Sequence, residues 1–127
     1  MSLQEHLGPL ALHHVGIVVG DLHAAAAHYR TLGFGEGEVF DVPHQAVKAI
    51  VFPAGPGYVE LIQPTDPEGP IARFMAKRGE GMHHIAYAVP DIRAALCRLD
   101  AAGVRLIDSE PRTGTHGWHV AFSLNAF

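Results

Sequence analysis

The stretch Leu12-His13-His14-Val15-Gly16-Ile17-Val18-Val19-Gly20-Asp21-Leu22, running on as HAAAAHYRTLGF to Phe34, decides how this chain is organised. It returns as Met82-His83-His84-Ile85-Ala86-Tyr87-Ala88-Val89-Pro90-Asp91-Ile92, running on as RAALCRLDAAGV to Val104. One offset of 70 residues pairs His13 with His83, His14 with His84, Val19 with Val89, Asp21 with Asp91, Ala24 with Ala94, Ala25 with Ala95 and Gly33 with Gly103. That period is longer than the usual solenoid repeats, so two copies of a small module within one domain are expected rather than an array.

Each copy reads as strand then helix. Val15–Val19 and Ile85–Val89 are short runs rich in β-branched residues, closed by Gly20-Asp21 and Pro90-Asp91. Asp21 and Asp91 are suited to cap the helices expected over 22–32 and 92–102, since a short carboxylate accepts from the first-turn N–H groups. Gly33 and Gly103 stop those helices, where a left-handed residue is wanted. Three strands follow near 36–41, 47–53 and 57–63, then a Pro/Gly-rich linker over 64–70 and a short helix over 71–77. The second copy offers strands at 104–107 and 118–124 around a loop at 108–117. The expected architecture is α+β: two tandem β-α-β-β-β modules in one domain over 1–127, with module 12–63, linker 64–81 and module 82–127. In this reading the last strand of the second copy is missing.

Length and composition are consistent with that. A chain of 127 residues suits one core, and 48% hydrophobic against 17% charged residues makes disorder a poor description. The net charge of −4 argues against a nucleic-acid partner, which needs a basic face. Cys97 is the only cysteine, which excludes an intrachain disulfide and a cysteine-based zinc cage. No apolar run approaches a membrane span, and the N-terminus lacks the features of a signal peptide, so a cytoplasmic protein with no membrane partner is expected.

Ten histidines in so short a chain call for a closer reading. Neighbours on a strand point to opposite faces, so His13 sides with Val15, Ile17 and Val19, the face expected to pack under the helix. His14 sides with Gly16 and Val18, and His84 with Ala86 and Ala88; these small residues leave room beside the imidazoles. Imidazole is the commonest metal-ligating side chain, and two equivalent strands would bring two of them together. His14 and His84 are therefore read as ligands, against the alternative of hydrogen-bonded structural histidines. The other eight are assigned no metal role. Glu60 lies in the otherwise apolar run Tyr58-Val59-Glu60-Leu61-Ile62, where a lone buried carboxylate would be costly. It is read as a third ligand; the alternative is an edge strand with Glu60 in solvent. The repeat puts Glu60's counterpart at position 130, and the sequence given stops at Phe127.

Weaker signals remain open. His116, in Gly114-Thr115-His116-Gly117, is either presented to a substrate by a mobile loop or sits on a solvated turn. Gln45, read on the strand before Lys48, is a candidate to face the substrate. Arg73, Lys77 and Arg78 form a basic group that either meets phosphate or is a solvated helix face. Cys97 reads as inert core. Gly33-Phe34-Gly35-Glu36-Gly37 does not make a dinucleotide-binding fingerprint, and no P-loop, serine elbow or zinc-protease motif is present.

Leu12–Ile17, Val59-Glu60-Leu61, Pro70-Ile71-Ala72-Arg73-Phe74, Gly79–Ala86 and Glu110–Gly117 together resemble methylmalonyl-CoA epimerases, members of the glyoxalase/bleomycin-resistance/dioxygenase (vicinal oxygen chelate) superfamily. The resemblance spans Leu12 to Phe122. It implies paired modules forming a half-open barrel around a divalent ion (Co, Mn, Ni or Zn), with His14, Glu60 and His84 as ligands. Some relatives carry Gln at the position of Glu60. The implied reaction is isomerisation of an acyl-CoA thioester of methylmalonyl-CoA type, with a proton leaving the carbon α to the thioester carbonyl and a metal-stabilised enolate between the two epimers. The family's fourth ligand, which also serves as base, is a Glu on the final strand; Ser123–Phe127 departs from that pattern, and no catalytic residue is assigned. Two other readings follow from the same residues: a glyoxalase I-type lactoylglutathione lyase, and a non-catalytic ligand-binding member of the superfamily. A sheet edge left unpaired by the missing strand is expected to lower stability or to pair with a second copy as a homodimer.

Overall fold

A computed structural model describes residues 10–124. Seven strands and three helices run in the order β1 (Ala11–Val18), α1 (Leu22–Thr31), β2 (Glu38–Val42), β3 (Val47–Ala54), β4 (Gly57–Pro64), α2 (Pro70–Arg78), β5 (Gly81–Ala88), α3 (Ile92–Ala101), β6 (Arg112–Thr113) and β7 (His119–Val120). The class is α+β, and the first module is the expected β-α-β-β-β. Among the described residues, contacts divide the chain into two compact units, residues 12–86 and residues 87–124 with 10–11.

Capping follows the repeat. Asp21 accepts from the Ala24 amide at 3.0 Å and Asp91 from the Ala94 amide at 3.1 Å. Gly33 and Gly103 take positive φ values of 98° and 83°, as helix-ending glycines should. Behind each, the chain folds back: Phe34 donates to the Tyr29 carbonyl at 3.2 Å and Val104 to the Leu99 carbonyl at 2.9 Å. The same sequence device closes both helices.

The main sheet has the order β2-β3-β4-β1-β5. Strands β2, β3 and β4 form an antiparallel meander, while β1 lies parallel to β4 with Gly16 opposite Glu60. Alternation then sorts the side chains. Ile17, Val19, Ile50, Phe52, Val59 and Leu61 pack with Leu22, Ala25, Ala26 and Tyr29 of α1 in one cluster, where Tyr29 stacks on Phe52 at 5.7 Å. On the other face Val42, Val47 and Ile62 pack with Phe40 and with Ile71 of α2. His14 and Glu60 belong to this second face, since each is one residue out of step with the α1-facing set.

The second copy departs from the first. In place of a strand over 104–107 there is a single bridge from Leu106 to Ser123, and the strand expected over 118–124 shrinks to His119–Val120. Ile107 and Asp108 both donate to the Phe122 carbonyl, at 2.9 and 3.0 Å, so two residues face one and the ladder bulges. The stretch expected as a loop over 108–117 supplies β6, which pairs with β7 around the Thr115–Gly117 turn. No closed barrel forms among the described residues. The expected strand 118–124 is described throughout, whereas the end of the expected second module, 125–127, lies outside the described residues.

Candidate metal centre

His14, on β1, and Glu60, on β4, are 5% and 3% exposed, and His84 on β5 reaches them from the far side of β1. Their ligand atoms converge. His14 Nε2 lies 3.0 Å from His84 Nε2, and Glu60 Oε1 lies 3.7 Å from His14 Nε2 and 3.6 Å from His84 Nε2. The backbone explains how an imidazole on β5 reaches Glu60 across an intervening strand: Gly16 sits between them. A Cβ on Gly16 would come within 2.2 Å of His84 Cε1. The small-residue face expected from the sequence is thus the space the His84 ring fills.

Burial sets the protonation of these rings. Desolvation, reinforced by the neighbouring His13, lowers the His14 pKa from 6.5 to about 4. Desolvation, with His14 and His83 adding to it, lowers that of His84 to about 3. Both rings are therefore neutral at physiological pH, the form that offers a lone pair to a cation. The contacts to Glu60 at 3.6–3.7 Å are accordingly not ion pairs at that pH.

The donor set fits a divalent ion of the borderline kind. Two imidazole nitrogens and a carboxylate oxygen are ligands common to zinc and its neighbours. The circle through the three atoms, set by their 3.0, 3.7 and 3.6 Å separations, has a radius of about 2.0 Å, close to a zinc–nitrogen or zinc–oxygen bond. Among the described residues this is the one group of three or more His, Cys, Asp or Glu side chains with ligand atoms so close, all within 4.8 Å.

Neutral, buried histidines make stability depend on pH in a definite direction. Between pH 6.5 and about 4 the unfolded chain takes up protons that folded His14 and His84 refuse. In metal-free buffer, stability should hold above pH 6.5 and fall as the pH drops, by about 2 kcal/mol per ring at pH 5. Urea midpoints at pH 7.5 and 5 measure this, and His84→Asn should flatten the dependence. Equal midpoints at the two pH values would contradict it.

The other sequence candidates lie elsewhere. Gln45 is on a 3₁₀ turn, Pro43–Gln45, rather than on β3, because Ala46 adopts a left-handed conformation (φ 55°) before Val47 starts the strand. The turn joins β2 to β3 beyond the rung pairing Val47 with Pro64, whereas Glu60 pairs with Val51. His116 is in the unit containing residues 87–124, at the Thr115–Gly117 turn with φ 63°, and its ring stacks on Trp118 at 5.1 Å. Cys97 is exposed, not core. Two contacts were not expected: His13 and His83, assigned no metal role by the alternation rule, meet the rings of His14 and His84 through Nδ1. The signal was the repetition of the whole His-His pair, not of its second member alone.

The glyoxalase/bleomycin resistance protein/dioxygenase superfamily matches residues 13–122. That span contains the whole cluster. The chain belongs to this superfamily. Within it, the sequence is 46% identical over 114 residues to the ethylmalonyl-CoA/methylmalonyl-CoA epimerase of Cereibacter sphaeroides, covering 87% of this chain and 85% of the relative. It is 34% identical to the mitochondrial methylmalonyl-CoA epimerase of Bos taurus, over 95% of this chain and 74% of that one. Among solved structures, a variant of Streptomyces coelicolor methylmalonyl-CoA epimerase in complex with 2-nitronate-propionyl-CoA superposes with a TM-score of 0.85 at 30% identity, covering 90% of this chain and 84% of that one. The chain is thus a methylmalonyl-CoA epimerase-like member of the superfamily, and its named relatives are isomerases. No helix among the described residues is long and apolar enough to cross a membrane.

Proposed function

We propose that this protein is a divalent-metal-dependent epimerase of a methylmalonyl-CoA-type thioester, with His14, Glu60 and His84 as the metal ligands. The observation that carries the proposal is the convergence of two neutral imidazole nitrogens and one carboxylate oxygen around a point about 2 Å from each. The chemical identity of the substrate is supported by the relatives' names and by an epimerase in complex with methylmalonyl-CoA and NH4+, which superposes with a TM-score of 0.84 at 30% identity.

A cation held there would supply positive charge against the negative charge that develops on the thioester oxygen when the α-proton leaves. The chain's own residues then have distinct tasks. His14 and His84 present Nε2 lone pairs, and their burial keeps those lone pairs free of protons at neutral pH. Glu60 contributes the negative charge of the set, from a position only 3% exposed. Three protein donors leave coordination positions for substrate oxygens. Gln45 and His116 are retained as substrate-contacting candidates, and the acid and base are not assigned. The proposal includes a cytoplasmic homodimer acting on a small acyl-CoA, with one domain over residues 1–127.

The test is hydrogen exchange. Incubation with methylmalonyl-CoA and Co²⁺ in D₂O should place deuterium at the α-carbon. A folded protein that leaves this carbon unlabelled, yet turns over the methylglyoxal–glutathione adduct, would replace the epimerase reading with the lyase one.

A further inference from the structure

Next to the ligand rings of His14 and His84 lie two further imidazoles, those of His13 and His83. Successive side chains on a strand ordinarily diverge to opposite faces, so neighbouring imidazoles have no reason to meet. Here they meet twice. His13 Nδ1 lies 2.8 Å from His14 Nδ1, and His83 Nδ1 lies 2.9 Å from His84 Nδ1. The two rings of each pair are near perpendicular, at 79° and 89°. The arrangement therefore recurs with the 70-residue period of the sequence.

A contact between two Nδ1 atoms is a hydrogen bond only if one carries the hydrogen and the other a lone pair. The direction follows from what His14 and His84 do with their other nitrogen. A neutral imidazole that offers Nε2 to a cation keeps its hydrogen on Nδ1. His14 and His84 are then the donors, and His13 and His83 accept at Nδ1 and carry their own hydrogen on Nε2. We infer that His13 and His83 are positioning residues, which hold the two ligand rings in the Nδ1–H tautomer and aim their Nε2 atoms at the ion. Each outer ring is itself braced: His13 packs on Tyr58 at 5.4 Å, and His83 stands edge-on to Phe74 of α2 at 4.7 Å. Helix α2 thus bears on the site indirectly, through His83.

This rests on His14, Glu60 and His84 binding metal, and the experiment separates the two claims. Co²⁺ affinity is measured by titration of its visible absorption for the unsubstituted protein and for His13→Phe, His83→Phe and His83→Asn. The Phe variants keep a ring but lose the acceptor, and each should bind about 10–100-fold more weakly. Asn carries an acceptor oxygen on Cγ, where imidazole carries Nδ1, so His83→Asn should recover most of that loss. Phe variants within threefold of the unsubstituted protein, or Phe and Asn variants equally impaired, would overturn the positioning role while leaving the ligand reading intact. No Co²⁺ uptake by the unsubstituted protein would overturn both. Should the variants fail to fold, ring ¹⁵N spectra of the unsubstituted protein loaded with Zn²⁺ decide: His13 and His83 as Nε2–H tautomers support the inference, and either as Nδ1–H sinks it.

Discussion

Gly16→Ala should abolish tight metal binding while leaving the fold in place. The added methyl would come within 2.2 Å of His84 Cε1 and 2.6 Å of both ring nitrogens, distances no packed structure tolerates. Backbone conformation is no obstacle, because Gly16 lies in mid-strand and its φ is not positive. Replacing a strand glycine by alanine would, if anything, favour the strand by roughly 0.5–1 kcal/mol. The strain therefore falls on the His84 ring, which must swing away from Glu60 and His14. A Co²⁺ affinity reduced by at least about 100-fold is expected, beyond the usual range for residues that only support a ligand. Urea denaturation should show a stability change of no more than about 1 kcal/mol, since the α1-side core is untouched. Unchanged Co²⁺ affinity in Gly16→Ala would mean that His84 does not bind from its present position.

The second large effect concerns the ligands themselves. His14→Ala and His84→Ala each delete one of three donors, and both should lose more affinity than His13→Phe or His83→Phe. Glu60→Gln should be milder, because the amide retains an oxygen donor at the same distance and forfeits only the charge. The expected order of weakening is therefore His14→Ala and His84→Ala first, Glu60→Gln well behind. Thermal melting without metal guards against a trivial loss through unfolding. Each alanine variant should still unfold in one cooperative transition, at a temperature lowered by the cavity that the deleted imidazole leaves. Indifference of Co²⁺ binding to both alanine substitutions would exclude the cluster as the binding site.

Much of the fold is legible in the sequence. The 70-residue repeat gave the strand–helix units, and the paired Asp caps and Gly stops gave their ends to within one or two residues. The cluster of His14, Glu60 and His84 was legible because three signals coincided: His-His pairs in register, small residues on the same faces as His14 and His84, and a carboxylate in an apolar strand. Two things escaped. The tail of the second copy depends on a bulge at the Phe122 carbonyl and on the Thr115–Gly117 turn, both matters of backbone hydrogen bonding with no periodic trace. The contacts that His13 and His83 make with His14 and His84 escaped because strict alternation assigns them to the opposite face, whereas an imidazole can curl round the strand edge to meet its neighbour.

The central claim is that a cation held by His14, Glu60 and His84 is what makes the α-hydrogen of a methylmalonyl-CoA-type thioester exchangeable. The most direct measurement is α-deuterium incorporation from D₂O into methylmalonyl-CoA by chelator-stripped protein, followed as Co²⁺ is added back. The predicted result is negligible exchange without metal, a rise that saturates at one Co²⁺ per chain, and no rise in His84→Ala. Exchange that is equally fast with and without Co²⁺, or that is restored by Co²⁺ in His84→Ala as in the parent, would contradict it.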